Sequence, residues 1–233
     1  MEIDRLRLAV ASEAGAAAHA LTVKAIRRTT IPLRKLADDV TAAVEARIEH
    51  LFATSGLAEV ACRTGCAYCC FVPRVLVTLP ELARIVEYVR QWPIDQIASL
   101  KVRLDAHILA QSSDVASPAL RPPCPLLVGQ SCSVYDARPL VCHAQHAFDA
   151  RECQSICETG AGETTQLTVV LDVVQGAASG VATAFHDMGM RADLFDLSRA
   201  LLLALDNPKI LAQGTSGLSS LASAMVTTDI KRA

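Results

Sequence analysis

Nine cysteines are the residues with the most chemistry to offer, and they are unevenly spaced. Four fall within nine positions, in CRTGCAYCC at residues 62–70, and the last two of these, Cys69 and Cys70, are adjacent. The other five are Cys124, Cys132, Cys142, Cys153 and Cys157. Such density has four explanations: a disulfide framework, a redox pair, a zinc site or an iron–sulfur cluster. C-x2-C and C-x3-C turns let two sulfurs converge on one ion, and the ion lowers each thiol's pKa until it binds as a thiolate. Gly65 relieves the tight backbone such a turn needs. Neighbouring side chains diverge, so Cys69 and Cys70 are expected to serve two centres, or one metal and a second role. Eight thiols fill two four-coordinate centres, each drawing on the early and the late cysteines. Cys157 is the weakest candidate ligand.

Soft thiolates suit zinc and iron–sulfur clusters alike. Cys124-Pro125 is similar to the Cys-Pro that follows ferredoxin cluster ligands. Cys62-x3-Cys66-x-Tyr68-Cys69 also fits the C-x3-C-x-aromatic-C pattern of radical-SAM enzymes, but their barrel needs repeated βα units and this chain shows none. A redox relay through a strained Cys69–Cys70 bridge is a further alternative. A Zn(Cys)4 centre is formally −2, four thiolates against a dication. Arg63, Arg74, Arg138 and Arg151 lie close in sequence to cysteines and are placed to offset that charge. His143 and His146 follow Cys142 in VCHAQHAF; they are metal or substrate ligands, or hydrogen-bonded loop histidines. His19, His50, His107 and His186 read as structural. There is no Ser-His-Asp arrangement, P-loop, dinucleotide-binding glycine loop, HExxH or carboxylate pair.

The set CRTGCAYCCFVP and CPLLVGQSCSVYDARPLVCHAQHAFDAREC resembles the YkgJ-like cysteine-cluster family, the CxxCxxCC group of zinc- or iron-chelating domains. The shared elements are Cys69-Cys70, Cys124-Pro125-Leu126-Leu127, Cys132-x-Val134-Tyr135, Arg138-Pro139-Leu140 and Cys142, over about residues 60–157. The resemblance implies eight metal-ligand cysteines: Cys62, Cys66, Cys69, Cys70, Cys124, Cys132, Cys142 and Cys153. A related branch contains flagellin lysine-N-methylases, so the family does not imply a single reaction.

These cysteines must be positioned by helices, because no strand–helix alternation or internal repeat appears. The expected fold is mainly α, a helical domain with an irregular cysteine-rich metal-binding region in its middle. Residues 1–57 form an N-terminal helical segment, 58–210 the cysteine-cluster domain with C-terminal helices, and 211–233 a tail. An Ala-rich helix is expected over about 3–28. Leu33, Leu36, Val40, Val44, Ile48 and Leu51 recur at steps of three and four, one face of a second helix that starts beside Pro32 and stops at Ser55-Gly56. Thr78-Leu-Pro-Glu81 has capping-box spacing and opens a third helix. Trp92-Pro93 breaks the chain before a fourth, which runs to about residue 111. Residues 112–125 read as a Ser/Pro-rich loop, 126–160 as irregular with a short helix at Asp136 to His143. Two helices follow, one from about residue 164 with Gly176 and Gly180 allowing close packing, and one over Leu194 to Leu205. The last dozen residues are expected to fray.

At 233 residues, 52% hydrophobic and only 4% aromatic, the chain can bury a core without help from metals. Net charge is −2 with no long basic run, which argues against nucleic-acid binding. The N-terminus lacks an apolar signal core and no uninterrupted apolar stretch reaches membrane-spanning length, so a cytoplasmic, reducing setting is expected, where dense cysteines mean metal or catalysis. The leading expectation is a cytosolic protein holding zinc or iron, as ions or an iron–sulfur cluster. Its rivals are two. One is a metal-dependent enzyme of redox or methyl-transfer type with Tyr68, Tyr135, Arg138, His143 or His146 near the metal. The other is a metal carrier or assembly module whose helix Leu33 to Phe52 docks a protein partner.

Overall fold

Alanine-rich sequence with few helix breakers makes α1 (Glu2–Ile26), and the stripe of aliphatics makes α2 (Leu33–Thr54). All six stripe residues, Leu33, Leu36, Val40, Val44, Ile48 and Leu51, are buried. The chain is described here by a computed structural model covering residues 2–28, 31–54, 59–63, 65–71, 74–112, 122–159, 163–207, 209–212 and 214–226. The expected stop at Ser55-Gly56, the centre of the Ser/Pro-rich loop and the last seven residues lie outside these. After α2 come strand β1 (Leu76–Val77), α3 (Leu79–Val89) and α4 (Ile94–Ser112). Strands β2 (Leu127–Val128) and β3 (Ser131–Cys132) precede α5 (Leu140–His143), α6 (Ala150–Thr159) and α7 (Thr168–Asp187). Strand β4 (Phe195–Asp196), α8 (Leu197–Asp206), α9 (Lys209–Ala212) and a 3-10 segment (Gly214–Ala224) complete the order. The fold is mainly α.

The capping box forms as its spacing requires. The Thr78 hydroxyl accepts from Glu81 N, and the Glu81 carboxylate accepts from Thr78 N at 2.8 Å. Helices α3, α4 and α8 bury Leu82, Ile85, Val86, Leu100, Leu104 and Leu201 in one apolar cluster, against which Cys124 and Cys132 pack. A second cluster joins α1, α2, α5 and α7. Helix α1 lies along α7 so closely that a Cβ at Gly180 would run into the Gly15 backbone, and one at Gly176 into that of Ala11. By length and composition α7 is apolar enough to cross a membrane, and its Val170, Val173, Ala177 and Ala184 are buried within the fold. Arg84 ties α2 to α3, with Nε 2.8 Å from Asp38 and Nη1 donating to Thr41 Oγ1 at 3.0 Å. The apolar face of α2 is thus used inside the chain, leaving Arg34, Lys35 and Glu49 exposed.

Three local expectations are corrected. Residues 150–159, expected to be irregular, are helix α6; Asp149 Oδ1 accepts from Arg151 N at 2.8 Å and caps its start. The expected helix at Asp136 to His143 is divided into a 3-10 turn (Tyr135–Ala137) and α5, because Pro139 holds Arg138 in extended backbone (φ −59°, ψ 147°). The helix expected from Leu194 begins at Leu197: Phe195 and Asp196 pair antiparallel with Val77 and Leu76, and Asp196 then caps α8 through Arg199 N. Within the expected tail, Gly214–Ala224 form a 3-10 segment, and Val226 N donates to Leu194 O at 2.9 Å.

Candidate metal centre

The early cysteines sit on a loop stitched down at both ends. Ala61 N donates to Ala147 O at 2.8 Å, and Ala147 N donates to Cys62 Sγ at 3.2 Å. Gly65 takes φ 86°, a left-handed conformation that costs other residues energy, and so closes the turn in which Cys66 N donates to Arg63 O. Tyr68–Phe71 form a 3-10 turn carrying Cys69 and Cys70 and packed on α6. From α6, Cys157 Sγ donates to Tyr68 O at 3.2 Å. On the opposite flank, Cys124 N donates to Cys70 O at 2.7 Å.

The later cysteines come from three further pieces. The β2–β3 hairpin pairs Cys132 with Leu127, three residues beyond Cys124, and Arg103 Nε from α4 donates to Pro125 O at 2.9 Å. Helix α5 carries Cys142 and is anchored by Glu81, whose Oε1 accepts from Leu140 N at 2.8 Å. One buried carboxylate therefore caps α3 and positions α5. Helix α6 supplies Cys153 and Cys157, four apart and so on one face.

All nine thiols are free, and with Cys69 set aside their mutual electrostatic influence divides them into two groups. Cys66, Cys62 and Cys157 act on Cys153, and Cys66 on Cys62 and Cys157. Cys124 and Cys132 act on Cys70 and on Cys142, and Cys132 on Cys124. Cys69 acts on members of both. Burial raises Cys124 to about 11; burial and then Cys62 and Cys66 raise Cys153 to about 11. Burial also pushes Cys142 well above the ordinary thiol range. In the adjacent pair, the Cys70 side chain favours ionisation of Cys69, with Arg138 helping, and Cys70 is itself raised above the ordinary thiol range.

Among the described residues no three Cys, His, Asp or Glu side chains stand closed as a metal-ligand set. The thiols are neighbours, with Cys62 and Cys157 directed at peptide groups. The donor chemistry fits a soft or borderline ion: each group offers four thiols. The Ala147 N–H can stay on Cys62 as a second-sphere donor, whereas loss of its proton would free Cys157 from the Tyr68 carbonyl.

Of the arginines singled out in the sequence, Arg138 is the one that acts on the thiols. It lowers the pKa of Cys69, Cys132 and Cys142, and its guanidinium carbon lies 4.0 Å from the centre of the Tyr135 ring. Arg74 instead faces Asp196 at 3.4 Å, and Arg63 and Arg151 are exposed. His143 Nδ1 lies 3.3 Å from Arg138 Nη2 and 3.2 Å from Glu45 Oε1. Burial, then repulsion by Arg138, lowers its pKa to about 3, so the ring is neutral and its contact with Glu45 is not an ion pair. His143 Nε2 and His146 Nδ1 are buried without a hydrogen-bond partner, and the His146 ring lies against Phe52. Tyr68 reaches the site through its carbonyl. Glu81 was legible as a cap but not as the anchor of α5. Asp149 and Glu152, three apart like a capping box, were the missed signal for α6.

Residues 61–160 match the CxxCxxCC family, whose description reads "putative zinc- or iron-chelating domain". All nine cysteines fall inside the matched segment. No curated protein and no solved structure matches the chain.

Proposed function

We propose that the CxxCxxCC domain at residues 61–160 holds two zinc or iron ions or clusters, one in each four-thiol group. Cys62, Cys66, Cys153 and Cys157 are the ligands of one centre; Cys70, Cys124, Cys132 and Cys142 are those of the other. The geometry that carries this is on the two flanks of the cysteine turn: Cys157 Sγ on α6 donates to Tyr68 O at 3.2 Å, and Cys124 N donates to Cys70 O at 2.7 Å. Relative to the eight ligands implied by family resemblance, Cys157 enters the set and Cys69 leaves it. Cys157 shares a helical face with Cys153 and reaches the cysteine loop at Tyr68, which supports its inclusion.

Each ion would neutralise part of four thiolate charges, and Arg138 is the cation positioned to balance the second centre. Thiolate ligation of metal suits a reducing compartment, and the proposed setting is the cytoplasm. Elemental analysis of anaerobically purified protein tests the reading. Two metal centres per chain are expected, with Cys153→Ser and Cys124→Ser each removing a different one. Visible sulfur-to-iron charge-transfer absorption would identify iron–sulfur clusters, and a colourless protein with stoichiometric zinc would identify zinc. A chain purified without metal that takes up neither ion overturns the proposal.

A further inference from the structure

Helix α4 carries apolar residues on two faces. One face holds Leu100 and Leu104 in the first apolar cluster, where α4 packs on α8. The other is Ile94, Ala98, Val102, Ala106 and Leu109, at steps of four, four, four and three, and all five are exposed. Ile94, Val102 and Leu109 are 81%, 69% and 71% exposed. Scattered surface aliphatics are ordinary, but a stripe running about 22 Å along one helix marks an interaction surface. One apolar face is enough to join a surface helix to its core, and in α4 the Leu100 face already does so. The stripe of α2, the helix expected to dock a partner, lies inside the fold instead.

We propose that this second face of α4 docks a basic amphipathic helix of a partner protein. Large and small residues alternate along the stripe, so Ala98 and Ala106 leave gaps between Ile94, Val102 and Leu109. Side chains of a second helix interlock with that alternation. Charge selects the kind of helix. The stripe is edged by Asp95 and Asp105, both exposed and without an ion pair among the described residues. The cations of α4 are already engaged: Lys101 Nζ lies 2.7 Å from Asp206 Oδ1, and Arg103 donates to Pro125 O and Ser99 Oγ. The face is therefore apolar with negative edges, and a helix with aliphatics at the same spacing and Lys or Arg on its flanks complements it. An anionic lipid surface does not, because a helix that lies on one carries cations beside its stripe. A second copy of the chain would bring the same acidic edges against these and supply no cation to meet them.

The full chain supplies the test, with a fluorescein-labelled peptide of about 18 residues as probe, long enough to span the stripe. Its leucines recur at steps of three and four, and lysines flank them. Anisotropy should show saturable binding that weakens as salt rises. Val102→Glu should weaken binding about ten-fold or more, as loss of a central interface anchor does. Asp95→Asn combined with Asp105→Asn should weaken it about three-fold and flatten the salt dependence. Ile94→Glu gives a second reading of the stripe should Val102→Glu fail to fold. Stripe variants that bind the peptide as wild type does overturn the proposal. So does equal binding of a peptide of the same composition with its lysines moved into the stripe, or a wild type that binds neither peptide. Sedimentation showing wild type dimeric and Val102→Glu monomeric would assign the face to a second copy and overturn it as well.

Discussion

Burial lifts the thiols of Cys124 and Cys153 to about 11, so at neutral pH both carry their protons. Ionising them at neutral pH costs free energy that metal–thiolate bonding would have to offset. Structural zinc binding is worth about 10–16 kcal/mol, enough to do so but with a strong dependence on pH. The sign follows directly: raised pKa values keep protons on the thiols, binding releases them, and affinity must increase with pH. Filling one four-thiol centre should release close to four protons near neutrality, about the slope of log affinity against pH. Calorimetry in buffers of differing ionisation enthalpy counts them, and release of no protons would exclude thiolate ligation. His143 adds no proton to the count, because burial and Arg138 already hold it neutral.

The contact between α1 and α7 reverses an ordinary helix rule. Replacing an interior helical glycine with alanine usually stabilises by about 1 kcal/mol. At Gly180 the added methyl would meet the Gly15 backbone, which belongs to a packed helix and cannot swing aside as a flexible side chain can. Gly180→Ala is therefore expected to destabilise, by about 1–3 kcal/mol as for other overpacked sites. Urea denaturation of wild type and variant gives the sign. The capping box at Thr78 makes a second case. Thr78→Ala should cost about 1 kcal/mol as a lost cap. Glu81→Ala should cost more, because it also strips Leu140 N of its buried acceptor and loosens α5, which carries Cys142. Comparing the metal content of the two variants checks whether the added cost reaches the site.

Across the whole molecule, the two apolar clusters are built from helices α1–α5 and α7–α9 with the 3-10 segment, and the thiols are carried on loops and short elements, Cys124 and Cys132 packing against the first cluster. Metal and fold are thus coupled only in part. Chelation should lower the apparent Tm by removing a ligand that binds the native state, while the helical far-UV signal persists. Amide exchange should quicken within residues 61–71 and 122–159 and change little in α1, α2 and α7. Uniform unfolding on chelation would show instead that the thiol centres are the principal source of stability.

The reach of the sequence depended on distance along the chain. The stripe of α2 and the capping box at Thr78 were legible because both follow from contacts within one or two helical turns. The short α6 was not legible because it buries no residue and so shows no apolar stripe; its local sign is the capping spacing of Asp149 and Glu152. Thiol number and softness are properties of side-chain chemistry and were legible in the sequence alone; the choice between zinc and iron was not. The grouping of sulfurs was not, because it depends on which segments meet. Only the tertiary structure set Tyr68–Phe71 between α6 and Cys124, because that meeting joins segments more than fifty residues apart.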